Sequence, residues 1–92
     1  MHELSIALSL VDAVCEELTR LGDVSVRRVR VRVGPLSGVV ADALSFAFEV
    51  AAAESAIAGA RLDIERSEGT ELELVALEVV DGVEGVEGAE NR

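Results

Sequence analysis

His2 is the sole histidine of the chain and stands between Met1 and Glu3. An α-amine, an imidazole and two main-chain amides therefore lie within three residues. An amine nitrogen, a deprotonated amide nitrogen and the imidazole can close fused chelate rings around one ion without help from the rest of the protein. Nitrogen-rich, tetragonal sites of this kind suit Ni(II) or Cu(II), not Mg(II) or Ca(II). His2 is bulky, so enzymatic removal of Met1 is expected to be poor, which leaves the Met1 amine as the terminal donor. The plainer alternative is an exposed terminal histidine with no role, because histidine is a ligand only in suitable company. The tripeptide by itself favours the plainer reading, and the rest of the chain has to shift it.

Other residues with chemical potential lack partners in sequence. Cys15 is the single cysteine, so it can form neither an internal disulfide nor a Cys-x-x-Cys zinc site. Its place among apolar residues reads as a small buried hydrophobe. Ser37 has no histidine near it in sequence and reads as a turn or cap residue, not a nucleophile. Gly34 and Gly38 are too sparse for a phosphate loop. Asp63 and Glu65 alternate with apolar residues and read as a solvated face. No acid, base and nucleophile set emerges, and the chain is expected not to be an enzyme.

The elements that must position the N-terminal donors are legible from periodicity. Leu4, Ala7, Leu8, Val11, Val14, Cys15, Leu18 and Leu21 recur at helical spacing and predict a helix over 3–21, closed by Gly22. Ile6, Leu10 and Ala13 make a second apolar strip, as on a helix that touches both a sheet and another helix. The first N–H groups of such a helix have no intrahelical partner, so the amides of His2 and Glu3 are expected to be free for a metal. The Glu3 carboxylate reads as a charge at the helix N-terminus more than as a ligand.

Val29, Val31 and Val33 alternate with Arg28, Arg30 and Arg32, predicting a half-buried strand with a basic outer face. Val24 and Val26 are in the opposite phase, so the Arg27-Arg28 doublet marks a bulge or the true start of the strand. The turn formers Gly34-Pro35-Leu36-Ser37-Gly38 close it. A second helix is predicted over 42–54, with Leu44, Ala47, Phe48 and Ala51 on one face and Phe46 and Val50 broadening it. Leu62 and Ile64 define a second strand. A third is predicted over 71–80, its alternation fading after Ala76. The last two strands are expected to pair as a hairpin across Ser67-Glu68-Gly69-Thr70. Arg28, Arg30 and Arg32 could then face Glu71 and Glu73. The expected fold is α+β in the order α-β-α-β-β, with two helices on one face of a three-stranded sheet. Residues 1–80 form the domain, and 81–92, which repeat Val-Glu-Gly, read as a disordered acidic tail.

Composition narrows the functional classes. With 92 residues the chain has room for one small domain, and its core has only two aromatics, Phe46 and Phe48. The net charge of −10 repels nucleic-acid backbones and anionic membranes, and no Trp or Tyr is present to stack a base. No apolar run approaches the roughly 20 residues of a membrane span. No basic stretch precedes an apolar core as in a secretory signal, so a reducing cytoplasm is expected. A small core of this kind is compatible with a monomer or a weak homodimer.

Three stretches, taken in order, carry a family resemblance: Met1-His2-Glu3-Leu4-Ser5-Ile6-Ala7, Val33-Gly34-Pro35-Leu36-Ser37-Gly38-Val39, and Ala43-Leu44-Ser45-Phe46-Ala47-Phe48-Glu49. Together they closely resemble the HypA/HybF family of hydrogenase-maturation nickel chaperones. The match covers roughly the first 65 residues and resumes weakly at 69–80. The resemblance implies a protein that binds Ni(II) at its N-terminus, cooperates with the GTPase HypB and helps load the large subunit of [NiFe] hydrogenase. Some members also serve urease. The matching ligand positions are Met1, His2 and Glu3. The family carries a zinc-binding insertion with paired Cys-x-x-Cys motifs between its last two strands, whereas here Glu65-Arg66 passes straight to Ser67-Glu68-Gly69-Thr70. No structural zinc is therefore expected. The alternative function is a protein–protein interaction module of the maturation machinery that transfers no metal.

Overall fold

The computed structural model describes residues 2–81. In chain order these form α1 (His2–Leu21), β1 (Val24–Val33), a short 3₁₀ turn (Pro35–Ser37), α2 (Ala41–Ala52), β2 (Arg61–Arg66) and β3 (Leu72–Asp81). The α+β order α-β-α-β-β is as the periodicity predicts. Met1 and residues 82–92 lie outside the described residues, and Asp81, the first residue of the predicted 81–92 tail, is the last of β3.

α1 ends where Gly22 turns left-handed (φ 92°) and donates its N–H to the Leu18 carbonyl at 3.0 Å. Its buried line is Ala7, Leu10, Val11 and Val14. This line runs between the two predicted strips and does not follow the first. Leu4, Leu8 and Leu21, expected to be covered, are each more than 40% exposed. The cause is rotation: Leu8 lies between buried Ala7 and Val11 along the axis, but at about 100° per residue Leu4 and Leu8 stand on the flank of the buried line, and Leu21 is the last residue of the helix.

On α2 the buried residues are Leu44, Ala47, Phe48 and Ala52. Phe46 and Val50 do not broaden this face; they are 70% and 53% exposed. Phe46 lies about 200° round the helix from both Leu44 and Phe48, which puts it on the far side. After α2 the chain turns back through Ser55, whose hydroxyl accepts the Ile57 N–H at 3.1 Å. Ile57 is thereby buried beside the helices, an anchor that no periodic pattern announces.

The sheet order is β2-β1-β3, with β1 parallel to β2 and antiparallel to β3. The expected hairpin between the second and third strands does not form. The central position belongs to β1, where Val29 and Val31 are fully buried. The link between β2 and β3 instead passes over the end of β1. Crossing two strand spacings takes about 10 Å, which a five-residue link covers with ease. Three main-chain bonds sew the bridge down: Ser67 N–H to Val33 O (3.2 Å), Gly34 N–H to Glu71 O (2.9 Å) and Leu36 N–H to Gly69 O (2.7 Å).

Two register shifts interrupt the β1–β3 ladder, between Val26 and Arg28 and between Arg30 and Val31. The first, at the Arg27-Arg28 doublet, decides between the two readings left open there: it is a bulge, and the strand does not start at it. The second leaves Val75 as an extra residue on β3, since Arg30 pairs with Ala76 and Val31 with Leu74. This reverses the phase of β3: Leu72 packs on the core before the bulge, and Leu77 and Val79 after it. The fading alternation in the sequence is that reversal.

The arginines of β1 stand on the face away from the core valines. Arg28 reaches Asp63 on β2 at 3.2 Å and Glu78 on β3 at 3.1 Å. Arg32 reaches Glu65 at 3.4 Å and Glu73 at 3.1 Å. Glu73 is the partner expected from sequence. Glu71 is not; it accepts the Ser67 hydroxyl at 3.1 Å.

Candidate metal centre

α1 begins at His2, so two of the three metal-binding candidates, His2 and Glu3, occupy its first turn. The His2 side chain is 58% exposed, and its Nδ1 lies 3.6 Å from Glu3 Oε1. That is an electrostatic contact, too long for a hydrogen bond. Met1, the third candidate, lies outside the described residues.

Glu3 behaves differently from its neighbour. Its side chain is only 13% exposed, and Oε2 accepts the Val40 N–H at 3.0 Å. Val40 is the N-cap of α2, and its own side chain makes no capping bond. The Glu3 carboxylate therefore sits at the positive end of α2 as well as in the first turn of α1. The Val40 N–H is the chief reason that the Glu3 carboxyl is held below its ordinary value. Partial burial opposes that, and its own N–H and nearby His2 assist. The sequence reading of Glu3 as a helix-terminal charge is right in kind, but α2, 37 residues away, is the helix it caps. The one hint in sequence is that the third position of α2 is Ala43, not the Glu or Gln that would reach back to the N-cap N–H, so that donor must find an acceptor elsewhere.

Beside His2 a shallow groove of about 320 Å³ runs between α1 and the start of β3, lined by His2, Ser5, Ile6, Ser9, Leu10 and Leu72. The imidazole is thus open to solvent. Among the described residues no group of three or more His, Cys, Asp and Glu side chains comes together to hold a metal. Cys15 is half-buried on α1 and packs against the core. No described helix is long and apolar enough to cross a membrane.

By its fold class this is a two-layer α+β domain, with one open imidazole at the head of its first helix. Comparison with known proteins makes this specific. The profile of the family described as "Hydrogenase/urease nickel incorporation, metallochaperone, hypA" matches residues 1–78, and the chain belongs to that family. It is 49% identical over 70 residues to the hydrogenase maturation factor HypA of Streptomyces avermitilis, covering 75% of this chain and 53% of that one. It is 54% identical over 65 residues to the HypA of Roseiflexus sp., covering 71% and 53%. The chain thus spans about half the length of the curated relatives it matches. The solution structure of the Ni metallochaperone HypA from Helicobacter pylori shares the fold, with a TM-score of 0.77 at 22% identity over 89% of this chain and all of that one.

Proposed function

We propose that this chain carries Ni(II) on its N-terminus and hands it on during hydrogenase maturation, without catalysing a reaction of its own. The exposed imidazole of His2 at the first position of α1 carries the proposal. A helix start leaves main-chain N–H groups without intrahelical partners. The donors are then the Met1 amine, the His2 amide and the His2 imidazole, with the Glu3 amide a further candidate. Amide protons are released to solvent as the nitrogens take the metal. Family membership supports nickel as the ion. An open site on terminal residues suits a cargo that must leave again.

By the same family resemblance, the receiving partners are the GTPase HypB and the hydrogenase large subunit, in the cytoplasm. The absence of a second cysteine supports a chain without structural zinc.

The test is nickel titration of protein that starts at Met1 without a tag. One Ni(II) per chain should bind with a visible band of planar nickel, and elemental analysis should find no stoichiometric zinc. His2→Ala should abolish the band, and so should residues added before Met1, because the free amine is consumed. A band that survives either change places the site elsewhere. A docking module without metal transfer is the second reading, favoured by the exposed Phe46 and Val50 on α2. It requires partner capture that is undiminished in protein that binds no nickel.

A further inference from the structure

The nickel reading leaves the Glu3 side chain without a task, yet it is the best-anchored group of the first turn. Its two oxygens serve two elements. Oε2 accepts the Val40 N–H at 3.0 Å, at the N-cap of α2, where the resident side chain supplies no cap. Oε1 faces Nδ1 of His2 at 3.6 Å. A chelate ring closed between the imidazole and its own main-chain amide uses Nδ1, the ring nitrogen nearer the backbone. The carboxylate thus stands beside the atom that takes the metal while tied to a different helix.

The geometry points to Glu3 as a positioning residue that couples nickel occupancy at His2 to the first turn of α2. In the free protein the anchor on Val40 holds the first turn of α1, with its amides, against the rest of the fold. When Nδ1 binds a cation, Oε1 faces that charge in place of the imidazole. A carboxylate is one rigid unit, so a change at Oε1 is passed to Oε2 and the Val40 N–H. Loading is then felt on α2, the helix that exposes Phe46 and Val50. This inference rests on the N-terminal nickel site, but its test reads a different atom.

Ni(II) is titrated into wild type, Glu3→Gln and Glu3→Asp while the visible band and the Val40 amide proton resonance are followed. Aspartate keeps the charge but is one methylene too short to serve both oxygens' partners. All three proteins should give the same band at saturation, since the carboxylate is not a donor. In wild type the Val40 resonance should move in step with the band. Both variants should lose that response, and their nickel affinity should fall about 10-fold to 100-fold, the usual loss when a ligand's supporting partner is removed. A simple loss of stability would not abolish a response measured in the folded, loaded state. If Val40 ignores nickel while the band forms, or the variants bind as tightly as wild type, the coupling is refuted and the nickel site stands. A variant band of altered shape refutes it by making Glu3 a ligand. If wild type gives no band, the nickel site fails and the coupling with it.

Discussion

At the scale of single residues, the two phenylalanines separate what a side chain is from where it sits. Phe48 is fully buried, while Phe46 is 70% exposed. Phe48→Ala should cost about 3–5 kcal/mol in urea unfolding, the range for a deleted core aromatic. Phe46→Ser should stay within about 0.5 kcal/mol of wild type, as exposed substitutions usually do. Equal losses would mean that α2 is turned differently on the sheet. The carboxylates add a pH dependence with a definite sign. Glu3 is held below its ordinary value by the Val40 N–H, and Glu17 by the hydrogen bond from Arg20. A depressed carboxyl contributes stability that is whole above the ordinary value of 4.5 and drains as pH falls through the lower folded value. Thermal melts should therefore hold steady near neutrality and decline in acid below that point, with Glu17→Gln declining less steeply. Arg28 and Arg32 shift upward through Asp63 and Glu65 respectively, so any loss from them begins only at extreme alkaline pH.

At the scale of elements, Gly34 is the tightest joint. A β-carbon there would overlap the Gly69 carbonyl and come within 2.8 Å of the Glu71 carboxylate. Gly34→Ala should destabilise by about 1–3 kcal/mol, the usual result of forcing extra atoms into packed surroundings. A wild-type urea midpoint would show that the bridge over β1 shifts freely. Because burial on one face leaves a repeat that can be read locally, periodicity found both helices and the last two strands to within a residue or two, and left the start of β1 open between Val24 and Arg28. It did not find the register of α1, since two apolar strips fit one helix and only the finished packing decides which is covered. Ile57 escaped because it is an isolated anchor in a turn with no repeat around it. The Glu3–Val40 contact escaped because it joins residues that only the finished fold brings together, although the uncapped start of α2 left a trace of it.

For the molecule as a whole, sequence separated the α+β class from other folds but not the order of its strands. A short link between two strands suggests a hairpin by default, and only the demand of β1 for partners on both edges overrides it. Of the three arginines expected on the outer face of β1, Arg28 and Arg32 found acidic partners, and did so on both flanking strands, as a central strand allows. The domain limit remains a proposal with a direct test. Ending the chain after Asp81 should leave the melting temperature and the nickel band unchanged. A fall in either would assign the last residues a part in the fold or the site.

The route from β2 to β3 also decides where evolution can add mass. A tight hairpin loop fixes the register of the strands it joins, so lengthening it disturbs their pairing. Here both strands are zipped to β1, and neither depends on the other for alignment. Extra sequence spliced into that overpass would meet loop-closure entropy, about 0.6 kcal/mol for each doubling of its length, together with the loss of whichever of its three main-chain bonds it breaks. The arch is thus a ready graft point, where a second module can be gained or shed while the sheet beneath keeps its shape.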